Sequence, residues 1–438
     1  MALSALHFPD FFTHLKRRLP DRFVRKPRKI SPAQLIGVLC LMTGFGRKGY
    51  RRAIAELQGG LGKAFGWPAL ALLPSPQAIG QARRSLSRTV CDEAFAAVYD
   101  SCHAIAERPV AAYAGLRLVA IDGTRLSLPP TASLISAFGC PSNQRGVAAA
   151  PMAGLVQLWD VGRNCPVAFG LTPCDGSERG EGRELLQHLG KGDLLIGDRG
   201  FFGYAFFRDI YRRKARFLMR VPLWEGTVAA AFAASGADEA VVSIVPSRRV
   251  AGAPPIPLRL LRIVLPNGTV EVLATNLWQY RGHDRATLGQ LYTQRWRIET
   301  AFRDMKVFHA LEQFSATYPD GIYQEIAAIQ IFLLLTSELE AIARRDAEQR
   351  SPQRPTPPHP PTEAPTLHIT DLRFNRLLIA DNVIHLLRYA ALGGRTAVRE
   401  AMPDILDYLW KNRSYARPGR SFPRLRKRPL GHYKKSGA

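Results

Sequence analysis

Up to about residue 110 the apolar positions fall at helical spacing, as Ile79, Ala82 and Leu86 do within SPQAIGQARRSLSR. Two Ser-Pro pairs, Ser31-Pro32 and Ser75-Pro76, predict helix starts: serine caps orphan amides, and proline suits the first helical position. From Leu116 short apolar runs take over. LRLVAID predicts a strand ending at Asp122, and MAGLVQLWDV and CPVAFGLT predict two more, joined by a turn at Gly162-Arg163-Asn164. EGRELLQHLG predicts a helix closed by Gly190, DLLIGD a buried strand ending at Asp198, YAFFRDIYRRK a helix and ARFLMRV a strand. This alternation makes a mixed α/β domain. A β-rich stretch at about 221–284 interrupts it, with a hairpin signal at Asn267-Gly268. Helix resumes at Arg285, and a further apolar helix is expected at about 323–345. The expected division is a helical N-terminal domain (1–110), an α/β domain (111–345), a Pro-rich linker or loop (346–367), and a helical C-terminal region with a basic tail (368–438).

Charge narrows the function. Lys and Arg number 60 against 36 Asp and Glu, a formal net charge of +24. Such a surplus favours a polyanionic partner, nucleic acid first and an anionic membrane surface second. The start MALSALHFPDFFTHLKRR lacks the layout of a signal peptide, and the most apolar stretch, Ile326 to Leu335, is half a membrane span and contains Gln330. A cytoplasmic protein without a membrane partner is the expectation. The six cysteines have no C-x-x-C spacing and no histidine cluster beside them, which points to thiols in a reducing compartment rather than zinc. The helix starting at Ser75 places Gln81, Arg84 and Arg88 on one face, either solvated or laid against DNA. Arg25 to Lys29, RKPRK, reads as an arm for phosphates, and the tail from Lys411 carries ten Lys and Arg with no acid.

The candidate chemistry centres on YTQRWRIETAFRDMK. At helical spacing Tyr292, Arg295, Glu299, Arg303 and Lys306 share one stripe, beside the apolar Trp296, Ile298, Ala301, Phe302 and Met305. Upstream, Asp122 and Asp198 each follow an apolar strand and precede a glycine-containing loop. Alone, either is more often a turn former or helix cap than a chemical group. Together with Glu299 they change meaning, because three carboxylates held close repel unless a cation sits among them. Oxygen-only ligands suit Mg²⁺ or Mn²⁺, and a pair of such ions serves phosphoryl transfer. Arg295, Arg303 and Lys306 would then hold nucleic-acid phosphates while Glu299 faces the metal.

These motifs, DGT at Asp122, DRGF at Asp198, and Tyr292, Arg295, Glu299 and Lys306 at fixed spacing, resemble those of DDE transposases of the insertion-sequence-four type over roughly residues 30–340. The resemblance implies a ribonuclease-H-like core with the β-rich insertion ahead of its last catalytic helix. It implies that Asp122, Asp198 and Glu299 bind two metal ions, and that Tyr292, Arg295 and Lys306 position transposon-end phosphates. Trp278 is the insertion's candidate for holding a flipped base, against the commoner role of a core tryptophan. The implied partner is double-stranded DNA, cut at terminal inverted repeats and joined through its 3′ ends to target DNA. A homodimer on paired ends in the bacterial cytoplasm, nucleoid-associated when bound, is implied too. The alternative is a relative that holds DNA without cutting it. A two-carboxylate glycosidase, a third class, leaves the charge unexplained.

Overall fold

The computed structural model describes residues 15, 17–19, 30–44, 49–58, 73–102, 105–106, 113–144, 146–224, 227–246, 253–278, 282–350 and 372–415. The RKPRK run, most of the Pro-rich stretch and the tail from residue 416 lie outside them. Eight strands build the main sheet: β1 (Arg117–Ser127), β2 (Met152–Asp160), β3 (Cys165–Thr172), β4 (Asp193–Gly197), β5 (Arg216–Arg220), β6 (Glu239–Ile244), β7 (Ile256–Val264) and β8 (Val270–Thr275). Their order across the sheet is β3-β2-β1-β4-β5-β8-β7-β6. β1, β4 and β5 are parallel and all other neighbours antiparallel. The β7–β8 hairpin turns at Asn267-Gly268, where Gly268 takes φ +80, a conformation that costs glycine least. The β-rich stretch thus continues the sheet: β8 pairs with β5, and β6 forms the far edge.

Helices cover both faces. On one lie α1 (Pro32–Gly44), α2 (Tyr50–Glu56), α3 (Pro76–Arg83), α4 (Arg88–Ser101), α5 (Ala132–Phe138), α9 (Arg285–Tyr292), α10 (Trp296–Val307), α11 (Pro319–Arg350) and α12 (Arg376–Lys411). On the other lie α6 (Glu178–Leu185), α7 (Tyr204–Arg212) and α8 (Val228–Ala234). The alternation of β1 divides the two cores: Leu118, Ala120 and Leu126 face the first, Val119 and Ile121 the second. α11 is the central helix of the larger core. It is long and apolar enough to cross a membrane by length and composition, but 94% of its most apolar window is buried by the surrounding protein.

Three elements differ from the sequence expectation. β1 does not stop at Asp122 but runs to Ser127, because its antiparallel partner β2 extends the ladder as far as Ser127–Met152. The helix expected from Ser75 to Arg88 breaks at Arg84 to Ser87. Ser87 caps a new helix by accepting from the Val90 amide, so Arg84 sits in the turn and Arg88 opens α4. The stripe-bearing helix is also interrupted, by a tighter 3₁₀ turn at Thr293–Arg295 between α9 and α10.

Candidate active site

Parallel pairing of β1 with β4 ends at Ile121 and Gly197. Asp122 and Asp198 are therefore the next residues on adjacent strands, at the edge where the two chains part. Glu299, in the first turn of α10, completes the set through Arg295. The Arg295 guanidinium donates through Nη1 to Asp122 Oδ2 at 2.9 Å, and its Nη2 lies 2.8 Å from Glu299 Oε1. Asp122 Oδ1 accepts from the Gly123 amide at 2.9 Å. Burial pushes the Asp122 carboxyl up to about 6; Arg295 and the Gly123 amide oppose the rise, and Glu178 and Glu299 add to it. Asp198 has its own cation: Arg220 on β5 brings Nε to 2.8 Å from Asp198 Oδ1, while its Nη1 donates to Glu271 Oε1 at 2.8 Å.

Each residue singled out from the sequence can now be placed. Arg295, expected on a phosphate-gripping stripe, is instead buried, its side chain 9% exposed between two acids. Helical spacing brings Glu299 to it, and the α10–β1 packing brings Asp122. Tyr292 is buried too, its ring under the Arg295 guanidinium at 6.0 Å and its hydroxyl without a hydrogen-bond partner among the described residues. Lys306 donates to the Arg125 carbonyl at 2.7 Å and lies 3.5 Å from Glu312. Arg303 is exposed, with a long contact of 3.5 Å to its neighbour Asp304. Arg84 lies over the Tyr318 ring, and Arg88 pairs with Asp320 at 2.9 Å over the Tyr323 ring. The break between α3 and α4 removes the single helical face that was to hold both. Trp278 is half-buried just past β8, whereas Trp224 and Trp296 are 67% and 62% exposed.

Sequence reasoning missed three groups. Arg220 is the counter-charge of Asp198. Arg83, passed over beside Arg84, is fully buried and bonds Gln324, Tyr50, Ser315, the Gly321 carbonyl and Glu325, tying α3 to α11. Glu178, the first residue of α6, brings a fourth carboxylate to the Asp122–Asp198 edge. Burial of part of its surface raises its carboxyl above the ordinary value, with Asp198 adding and Arg125 opposing. An acid in the first turn after the third strand was the available signal.

The donor chemistry, carboxylate oxygens with no thiol or imidazole, fits a hard divalent cation. In the present arrangement guanidiniums neutralise Asp122, Asp198 and Glu299, and among the described residues no three His, Cys, Asp or Glu side chains are grouped as metal ligands.

A family model described as "Transposase DDE domain" matches residues 113–335. The transposase InsG for insertion sequence element IS4, from Escherichia coli (strain K12), is 23% identical over 237 residues, 53% of either chain, so the match spans about half the length of that relative. A solved structure of the piggyBac transposase in a synaptic complex with hairpin DNA aligns with 96% of this chain and 87% of its own, at 9% identity and a TM-score of 0.42.

Proposed function

We propose, since the chain belongs to the DDE transposase family and is of the insertion-sequence-four type, that it cuts DNA at the ends of a mobile element and joins the freed 3′ ends to target DNA. The observation that carries this is Asp122 and Asp198 on adjacent strand ends with Glu299 tied to Asp122 through Arg295. The strand order β3-β2-β1-β4-β5, with an antiparallel three-stranded start and parallel β4 and β5, supports a ribonuclease-H-like core.

In this account Asp122, Asp198 and Glu299 hold divalent ions, Mg²⁺ or Mn²⁺, two per site. When bound, such ions supply Lewis acidity for the attacking and leaving oxygens of phosphoryl transfer. The rest falls to side chains. Burial of Asp122 on a sheet fixes its carboxylate rigidly, and the Gly123 amide orients it. Lys306, on the last turn of α10, is placed for a backbone phosphate near the Arg125 carbonyl. A guanidinium released from Asp122 and Glu299 would be available to a second phosphate, the role the resemblance assigns to Arg295, and Tyr292 beneath it would set its direction. The net charge of +24 supplies long-range attraction to DNA. Because two ends are cut and joined together, we place the protein as a dimer on paired ends, in the bacterial cytoplasm.

The test is incubation of the full chain with DNA carrying the sequences that flank its coding region. Cleavage at the ends in Mg²⁺ and none in EDTA is expected. Cleavage at equal rate in EDTA would remove the metal-dependent account.

A further inference from the structure

A cavity of about 300 Å³ lies between α10, α11, the start of α12 and residues 372–374. Helical spacing puts Arg297, Thr300, Ala301 and Asp304 on the face of α10 that lines it, whereas Glu299, two residues after Arg297, points to the opposite side. Four guanidiniums line the cavity, those of Arg297, Arg344, Arg373 and Arg376, against two carboxylates, those of Asp304 and Glu340. The catalytic helix therefore has a basic hollow at its back.

The four cations are not equally answered. Glu340 takes two of them: its Oε1 accepts from Arg344 at 2.8 Å, and its Oε2 accepts from Arg376 at 3.1 Å and from Asn164 at 3.0 Å. That network ties α11 to α12 and explains Arg344 and Arg376 as structural groups. It explains neither of the others. Asp304 has its contact, at 3.5 Å, with Arg303, which does not line the cavity. Among the described residues Arg297 and Arg373 make no ion pair, and the half-buried Arg297 side chain donates only a long hydrogen bond, 3.4 Å, to the Val161 carbonyl. Arg373 is exposed beside it. Burial holds the Arg297 guanidinium below its ordinary value; Glu340 opposes the fall, and Arg344 and Arg373 deepen it. Cations crowded in this way raise one another's energy, and an anion seated among them relieves the repulsion. Guanidiniums around a small polar cavity match the oxygens of a phosphate group.

We propose that this cavity binds a backbone phosphate of DNA, separated from the cut by the thickness of α10, about 10 Å. This rests on the DNA-directed function above, so the experiment separates the two. Binding of the full-length protein to a labelled duplex carrying the flanking end sequence, and to one of unrelated sequence, is followed by fluorescence anisotropy over a range of salt. The proteins are wild type, Arg297→Gln, Arg373→Gln and, as a control on α7 with its side chain 69% exposed, Arg212→Gln. Arg297→Gln and Arg373→Gln should each weaken binding to both duplexes about fivefold and flatten log affinity against log salt by about 0.9 for the phosphate lost. Arg212→Gln should change neither. Without DNA, the Arg297→Gln melting temperature should hold or rise, because a crowded cation is gone. A fall, or a failure to fold, would make Arg297 structural and leave Arg373→Gln to decide by the same affinity and slope. Wild-type affinity and slope in both variants would overturn the site and leave the function standing. An equal loss in Arg212→Gln would overturn it too, since overall charge and not the cavity would then be read. No binding of either duplex by wild type would remove the function and this site together. Inorganic phosphate supplies the last comparison. If it raises the melting temperature of wild type but not of Arg297→Gln, while DNA affinity is unchanged in both variants, the ligand is a free anion and the DNA assignment falls.

Discussion

At the scale of residues, what matters is which charge neutralises which. Arg83 is 1% exposed and its partner Glu325 3%, so removing the guanidinium leaves a buried carboxylate without its cation. Arg83→Met should lower stability by about 3–5 kcal/mol, read from urea denaturation. A loss below about 1 kcal/mol would mean that the Ser315 and Ala316 amides already satisfy Glu325. Lys306 differs, being nearer the surface, where among the described residues it meets the Arg125 carbonyl and, at 3.5 Å, the Glu312 carboxylate. Lys306→Ala should weaken binding to end DNA by about 1–3 kcal/mol at fixed salt, measured by fluorescence anisotropy, with folding intact. Unchanged affinity would take Lys306 off the DNA face. Asp122, Asp198 and Glu299 stand out in the sequence because apolar runs end beside two of them and helical spacing frames the third, and the structure joins Glu299 to Asp122 through Arg295. Arg220 and Glu178 do not, since each matters only through a neighbour on another element. Arg295 was half legible: spacing gave its Glu299 partner, whereas Asp122 reaches it only through the packing of α10 on β1.

At the scale of elements, local chemistry could be read wherever it decides the backbone. The Asn267-Gly268 turn and the Ser75 cap are such cases, the Ser75 side chain accepting from the Ala78 amide. Ser87 is a cap of the same kind, but the arginines around it suggested a continuous basic face. The length of β1 could not be read from its own residues, because β2 determines it. The basic tail can be tested without disturbing the described elements. Ser414–Tyr415 pairs with Leu372–Arg373, and Arg413 stacks on Trp410 at 3.5 Å, so truncation belongs after Tyr415. Removing 416–438 should weaken DNA binding and flatten log affinity against log salt, by about 0.9 for each phosphate the tail would otherwise neutralise. An unchanged slope would assign the tail no part in affinity. A close approach offers a further check: a Cβ at Gly44 would stand 2.5 Å from Ile384 Cδ1 and 2.9 Å from Phe332 Cε2, where α1 meets α11 and α12. Gly44→Ala should therefore destabilise by about 1–3 kcal/mol in the same denaturation assay. A variant as stable as wild type would mean that those side chains give way at little cost.

At the scale of the whole molecule, one sheet carries the acids at the edge where its strands part, and the helices of the larger core fix α10 against it. The proposed function joins that edge to a strongly basic protein acting on paired DNA ends. Light scattering on a complex competent for cleavage should give two chains per two ends, and one chain per two ends would exclude the dimer. The central claim is that the three carboxylates perform the chemistry while other residues hold the DNA. Glu299→Gln keeps the size of the side chain but removes its charge, and it separates those roles in a single protein. Measured together on end DNA in Mg²⁺, binding should persist or tighten while cleavage falls by orders of magnitude. A Glu299→Gln protein that cuts at the wild-type rate would contradict the three-carboxylate mechanism.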